Sequence, residues 1–205
     1  MNKKTFLWCL AATAYSFAAY LAILILLLIA FMSNVSTGGS AVSQMLAAVA
    51  PWVSYLFIAA IAGTGILMAL VHRDKKPMAQ IGGFLLLAYA IIQVIFLVVA
   101  QSSNTPDAVW ENMEGEYLLL SMMPLVLSAA FAAIARCYED SGLRIRSYVL
   151  LVLGVANLIA MQIGKNGGSV DSATGSAVVV LIVSSAFLIM ETIFFFKWLN
   201  VVRNE

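Results

Sequence analysis

The chain has 205 residues, of which 63% are apolar and 10% charged, against about 45–50% and about 25% in ordinary soluble domains. A soluble protein of this size has too little interior to hide that much apolar surface, and a chain so rich in aliphatic and aromatic side chains gains too much from burial to stay disordered. Eleven basic against ten acidic residues leave a formal net charge of +1, which excludes a nucleic-acid footprint and an acidic solvating tail.

Apolar runs long enough to cross about 30 Å of hydrocarbon at about 1.5 Å per residue fall at 6–32, 51–71, 81–100, 117–135, 148–163 and 176–199. The expected fold is all-α: a polytopic integral membrane protein forming a single membrane domain over 1–205, a six-transmembrane-helix bundle. Lys3 and Lys4 precede the first run as in a secretory signal. That run is too long for a signal's apolar segment, however, and exits through Phe31-Met32-Ser33-Asn34 without a small-x-small cleavage pattern. It reads as an uncleaved helix. The fifth run is short and carries Asn157 and Gln162, so it is expected to stand nearly upright or shielded by its neighbours.

Basic residues are retained on the cytoplasmic side, and every Lys and Arg except Lys165 falls on one set of segments: Lys3, Lys4, Arg73, Lys75, Lys76, Arg136, Arg144, Arg146, Lys197 and Arg203. With six helices, both termini are expected in the cytoplasm. The opposite loops carry Asp107, Glu111, Glu114, Glu116 and Asp171. Short surface helices are expected in two of these outer loops. Val42, Met45, Leu46 and Val49 repeat at helical spacing ahead of Pro51, and Thr105, Pro106 and Asp107 supply a cap, a first-turn proline and an acid. The third outer loop, at 164–169, is Gly-rich and reads as a flexible turn.

Small residues let helices approach closely in lipid, where the hydrophobic effect gives little drive between them. The expected packing positions are Ala14, Ala18 and Ala22 in the first helix, Ala59 and Gly63, then Gly65 and Ala69, in the second, and Ser128 and Ala132, with Ala129 and Ala133, in the fourth. Pro124 removes a backbone donor, so a kink is expected near Leu120 and Ser121.

Glu191 is the foremost candidate for function. It lies about two turns before Lys197 and Trp198, and an acid at that depth must face protein or water, find a cation, or carry a proton. It is either a cation or proton site, with Ser184 seven residues earlier, or one half of an ion pair with Arg136, the nearest basic residue in prospect. Gln93, Asn157 and Gln162 either line a hydrophilic pocket for a small solute or join helices by hydrogen bonds. Tyr15, Tyr20, Tyr55 and Tyr89 divide similarly between a cavity and packing, and Trp8, Trp52, Trp110 and Trp198 read as interfacial belts.

Cys9, His72 and Cys137 fall near the same ends of three helices, but nothing in their spacing shows convergence, so no metal and no cofactor is expected. A lone histidine excludes bis-histidine haem ligation within one chain, and the two cysteines form no C-x-x-C pair. No hydrolase, metalloprotease, P-loop or dinucleotide motif occurs.

The plan of six helices with both ends inside, and a first helix stepped by Ala14, Ala18 and Ala22, resembles the substrate-binding subunits of energy-coupling-factor transporters. The resemblance implies that this alanine face meets a transport partner; it transfers no binding residue. The leading expectation is a non-catalytic integral membrane component of a larger assembly, a bacterial inner-membrane transport or envelope complex with the bilayer and other membrane subunits as partners. The alternatives are a self-contained transporter or channel for a small solute, ion or proton using Glu191, and, least supported, an intramembrane enzyme.

Overall fold

The computed structural model describes residues 3–34, 41–71, 77–102, 122–166 and 170–204. They form six helices: α1 (Lys3–Asn34), α2 (Ala41–Val71), α3 (Pro77–Ser102), α4 (Met122–Ala135), α5 (Ser141–Asn166) and α6 (Val170–Asn204). No strand occurs among the described residues. Five of the helices are long and apolar enough to cross a membrane, and Met122–Ala135 is a shorter apolar helix. The expected residues 117–121 of the fourth span, the kink at Leu120 and Ser121, and the surface helix after Thr105 lie outside the described residues.

The helices run past their apolar cores because a backbone already hydrogen-bonded along its axis continues into the interface at little cost. The clearest case is α2. The surface helix expected before Pro51 is not separate, since Ala41–Val71 is one helix with Pro51 inside it. Pro51 opens the membrane-spanning part of α2 and is exposed, so water at the membrane surface can satisfy the carbonyl that its missing N–H leaves free.

Helix α1 packs on α2 and α6, α2 on α3, and α5 on α6. The tightest approaches are made by glycines that the four-residue steps do not all single out. A Cβ on Gly83 would stand 2.7 Å from the Gly65 carbonyl oxygen and 2.7 Å from the Ala69 amide nitrogen, so α2 and α3 meet backbone to backbone. Its neighbour Gly82 faces the other way, where a Cβ would meet Ile134 of α4 at 2.6 Å. At Gly154 of α5 an added Cβ would stand 2.5 Å from Ser128 Oγ and 3.1 Å from the Pro124 carbonyl oxygen of α4. The Ser128 hydroxyl shares its proton between the carbonyls of Pro124 and Leu150, joining α4 to α5.

The alanine face of α1 divides. Ala14 is fully buried, Ala18 half-buried and Ala22 exposed, because α1 turns Phe6, Leu10, Thr13 and Phe17 inward and the four-residue steps drift around the helix. Ala59 is exposed too, and a Cβ on Gly63 would meet nothing nearer than Cys9 Sγ at 3.8 Å. Ala22, Ala59 and Gly63 therefore make no tight helix contact. The polar contact of the α1–α2 joint is instead between the fully buried hydroxyls of Thr13 and Thr64, 2.9 Å apart; each is also 2.9 Å from a carbonyl of its own helix, Cys9 and Ala60, so one hydroxyl donates across while the other donates to its own backbone. Thr13→Val and Thr64→Val are each expected to cost about 0.6 kcal/mol, and the double variant about as much as either single one. A double-mutant cycle on thermal unfolding in detergent checks this; additive losses would mean that the two hydroxyls act separately.

At the end of the bundle that carries both termini, Asp140 caps α5 by accepting the Leu143 N–H at 2.7 Å and pairs with Lys197 of α6 at 2.8 Å. The Lys197 hydrogen bond, with the Leu143 N–H behind it, holds the Asp140 carboxyl below the usual carboxylate range. A carboxyl lowered in the folded state contributes its stability above the unfolded value and loses it as pH falls through the folded one. Wild-type protein should therefore lose stability on acidification below about pH 4 more steeply than Asp140→Asn, followed by melting temperature across pH 3 to 7.

Candidate functional site

Four of the polar residues that the spans carry come together. Gln93 of α3, Asn157 of α5, and Ser184 and Glu191 of α6 line one internal cavity of about 270 Å³, to which all six helices contribute. Polar side chains inside a bilayer avoid the acyl chains and gather where protein can satisfy them. Ser184 Oγ donates to Asn157 Oδ1 at 2.7 Å, and Asn157 is almost fully buried. Gln93 Nε2 donates to the Tyr89 hydroxyl at 2.9 Å and to Met123 Sδ at 3.3 Å. Gln162 does not line the cavity; it is half-buried near the far end of α5.

Glu191 is 1% exposed, and its Oε1 has no hydrogen-bond partner among the described residues. The expected ion pair with Arg136 is not formed. Arg136 is exposed in the turn after α4, where its guanidinium keeps its hydration, whereas Glu191 points into the bundle about 9 Å of helix before Lys197. Lys197 is itself committed to Asp140. Tyr20 and Tyr89 line the same cavity and lie within electrostatic reach of Glu191. Tyr15 and Tyr55 face outward.

The rest of the wall is aromatic and aliphatic. Phe17, Phe57 and Phe187 line the cavity with the two tyrosines; Phe17 and Phe57 lie 5.0 Å apart, and Phe57 meets Tyr89 edge-on at 6.5 Å. One turn beyond Glu191, toward the end that carries the termini, rings fill the core. Phe131 stacks on Phe194 at 4.3 Å and meets Phe195 edge-on at 5.1 Å, and Phe195 reaches Phe17 at 5.7 Å. Trp198 continues this stripe and is completely buried, so it is a core residue and not part of an interfacial belt. Trp8 and Trp52, at 77% and 74% exposure, do face outward; Trp110 lies outside the described residues.

Cys9 is half-buried against Gly63, and Cys137 donates to the Ala133 carbonyl at 3.4 Å. Among the described residues no three His, Cys, Asp or Glu side chains gather as metal ligands; His72 lies outside them. Sequence reasoning left Tyr20 and Tyr89 undivided from Tyr15 and Tyr55, and did not single out Phe17, Phe57 or Phe187. In a helix that is apolar all round, no pattern separates a cavity-facing ring from a lipid-facing one.

Helices of this length and composition, packed around a largely apolar cavity that holds a few polar side chains, make this an all-helical integral membrane protein. Comparison of the chain with protein-family models, with curated proteins and with solved structures finds no significant match.

Proposed function

We propose that the chain is a non-catalytic membrane protein of the transport type, whose bundle binds a small organic cation at Glu191. The unpartnered Oε1 of Glu191, set on a cavity walled by aromatic rings, carries this reading. A buried carboxylate is costly unless a counter-charge or a proton meets it. An alkylammonium group meets both features of the wall: it neutralises the carboxylate, and it gains about 2 kcal/mol from each ring face it desolvates against. The cavity, at about 270 Å³, falls near the lower end of small-molecule sites, about 300–1,000 Å³, which suits a compact amine. Gln93, Asn157 and Ser184 orient the polar side of the solute. When the amine leaves, a proton from water neutralises the carboxylate in its place, so exchange of cation for proton is the natural cycle.

In this reading the apolar run 117–135 is the sixth span. The basic segments place both termini in the cytoplasm, and the membrane is a bacterial inner membrane. The test is calorimetric titration of the purified full chain at pH 8 with alkylammonium ions of increasing size, with alcohols of matching shape as controls. Saturable one-to-one binding of the cations alone is expected, followed by their uptake into proteoliposomes. Equal responses to cations and alcohols, or none to either, would refute the proposal.

Membership of a larger assembly is the second reading, and α1 favours it. Trp8, Ala12, Tyr15, Ala19 and Ala22 are exposed at alternating four- and three-residue steps, a stripe of large and small residues suited to a partner helix. Copurification under mild solubilisation tests it: a stable companion subunit supports it, and a lone, fully active monomer sinks it.

A further inference from the structure

A second recess lies on the outside of the bundle, in the groove between α1 and α6 at the end that carries both termini. Its volume is about 520 Å³, nearly twice that of the internal cavity. Lys4 of α1 and Arg203 of α6 line it toward the chain termini, and Trp8, Tyr15, Phe196 and Leu199 line it farther along the two helices. From Lys4 to Tyr15 is about 16 Å along α1, and from Arg203 to Phe196 about 10 Å along α6. The groove thus runs from two cations at the surface well into the apolar span. Tyr15 closes one wall edge-on against Phe196 at 5.4 Å, while Trp8 and Tyr15 remain 77% and 62% exposed.

Lys197, on the same end, is taken by Asp140, whereas Lys4 and Arg203 have no ion pair among the described residues. Two cations on neighbouring helices, lining the same largely apolar groove, match a ligand that carries a phosphate at one end and hydrocarbon at the other. The planar guanidinium of Arg203 suits a phosphate in two-pronged fashion, Lys4 adds a point charge, and the amphipathic ring of Trp8 sits where headgroup meets chain.

We propose that this groove is a binding site for an anionic phospholipid, its phosphate held between Lys4 and Arg203 and one acyl chain laid along Trp8, Tyr15 and Phe196. Simple snorkelling of the two cations would leave the groove indifferent to headgroup charge, so headgroup selectivity is the discriminating quantity. The experiment uses the full chain in lipid nanodiscs with Trp52→Phe and Trp110→Phe, which leaves Trp8 as the lipid-facing indole and Trp198 in the core. Brominated phosphatidylglycerol or brominated phosphatidylcholine is then diluted into unbrominated phosphatidylcholine, and indole quenching is read.

The anionic lipid is expected to quench at a roughly tenfold lower mole fraction than the zwitterionic one. Lys4→Gln with Arg203→Gln should abolish the preference, and Lys4→Arg with Arg203→Lys, which keeps both charges should the neutral variant fail to fold, should retain it. Glycerol phosphate in excess should not reverse the quenching. Equal quenching by both lipids, quenching by neither because another protein covers the groove, or reversal by glycerol phosphate as at a plain anion site would each overturn the proposal.

Discussion

Glu191→Gln is expected to weaken binding of a small organic cation by roughly 30-fold to 4,000-fold, the effect of removing one partner from a desolvated charge pair worth about 2–5 kcal/mol. The amide keeps the shape and polarity of the carboxyl, so the cavity should survive and the ring faces should still offer a weak site. Melting temperature is expected to stay level or rise, because the variant no longer buries an ionisable group whose Oε1 lacks a partner. The two readouts together separate function from architecture. A structural role for Glu191 predicts a lower melting temperature with cation affinity unmoved, and that combination would count decisively against the site. The pH profile adds a third check: cation affinity of the wild type should fall on acidification, as protons compete for the same oxygen, while Glu191→Gln should show no such dependence.

Gly83→Val should produce the largest loss of stability of any single change at a helix contact. Its Cβ would press on the Gly65 carbonyl oxygen and the Ala69 amide nitrogen at 2.7 Å each. Both are backbone atoms, so relief requires α2 and α3 to part along their length. Overpacking of this kind costs about 1–3 kcal/mol, occasionally more. Gly63→Ala is the internal control: its methyl would touch Cys9 Sγ at 3.8 Å, an ordinary contact, and replacing glycine by alanine in a helix gains about 1 kcal/mol of propensity. Thermal unfolding of the two variants in one detergent should therefore move in opposite directions. A Gly83→Val protein as stable as wild type would show that α2 and α3 do not meet as closely as described.

The contrast between Gly63 and Gly83 also shows how far a membrane sequence can be read. Long apolar runs located the spanning helices because hydrocarbon thickness imposes a length that no soluble fold requires. Of the polar residues inside those runs, Gln93, Asn157, Ser184 and Glu191 line one cavity while Gln162 does not, because a position in sequence gives a residue's depth along its helix but not the side it faces. The facing of apolar and small residues was not legible. A lipid-exposed wall and a protein-exposed wall are both made of alanine and aliphatic side chains, so Ala14 and Ala22 look alike in sequence yet are buried and exposed respectively. Of the two alternatives for Glu191, the pair with Arg136 is not formed for a related reason. Arg136 stood nearest by helix end, but a guanidinium keeps its hydration more cheaply than it enters a ring-lined interior. Gly82 and Gly83 escaped the search for four-residue steps because adjacent glycines serve two different neighbours, one on each side of α3.

The way α6 is seated sets it apart from the helices beside it. Helices α2 and α3 abut main chain to main chain at Gly65 and Gly83, whereas Gly82 and Gly154 bring α3 and α5 close to α4 against the Ile134 side chain and the Ser128 hydroxyl. Between residues 179 and 204, α6 has no glycine; it rests on Phe131 through Phe194, on Phe17 through Phe195 and on Phe6 through Trp198. Rings of this kind can pivot about χ1 and χ2 and find a new fit, whereas abutting main chains cannot. Those rings are the yielding contacts of α6, while the Asp140–Lys197 pair and the Ser184–Asn157 hydrogen bond tether it to α5; in the proposed cycle, a small roll of α6 about that tether is the motion open to the helix that bears Glu191.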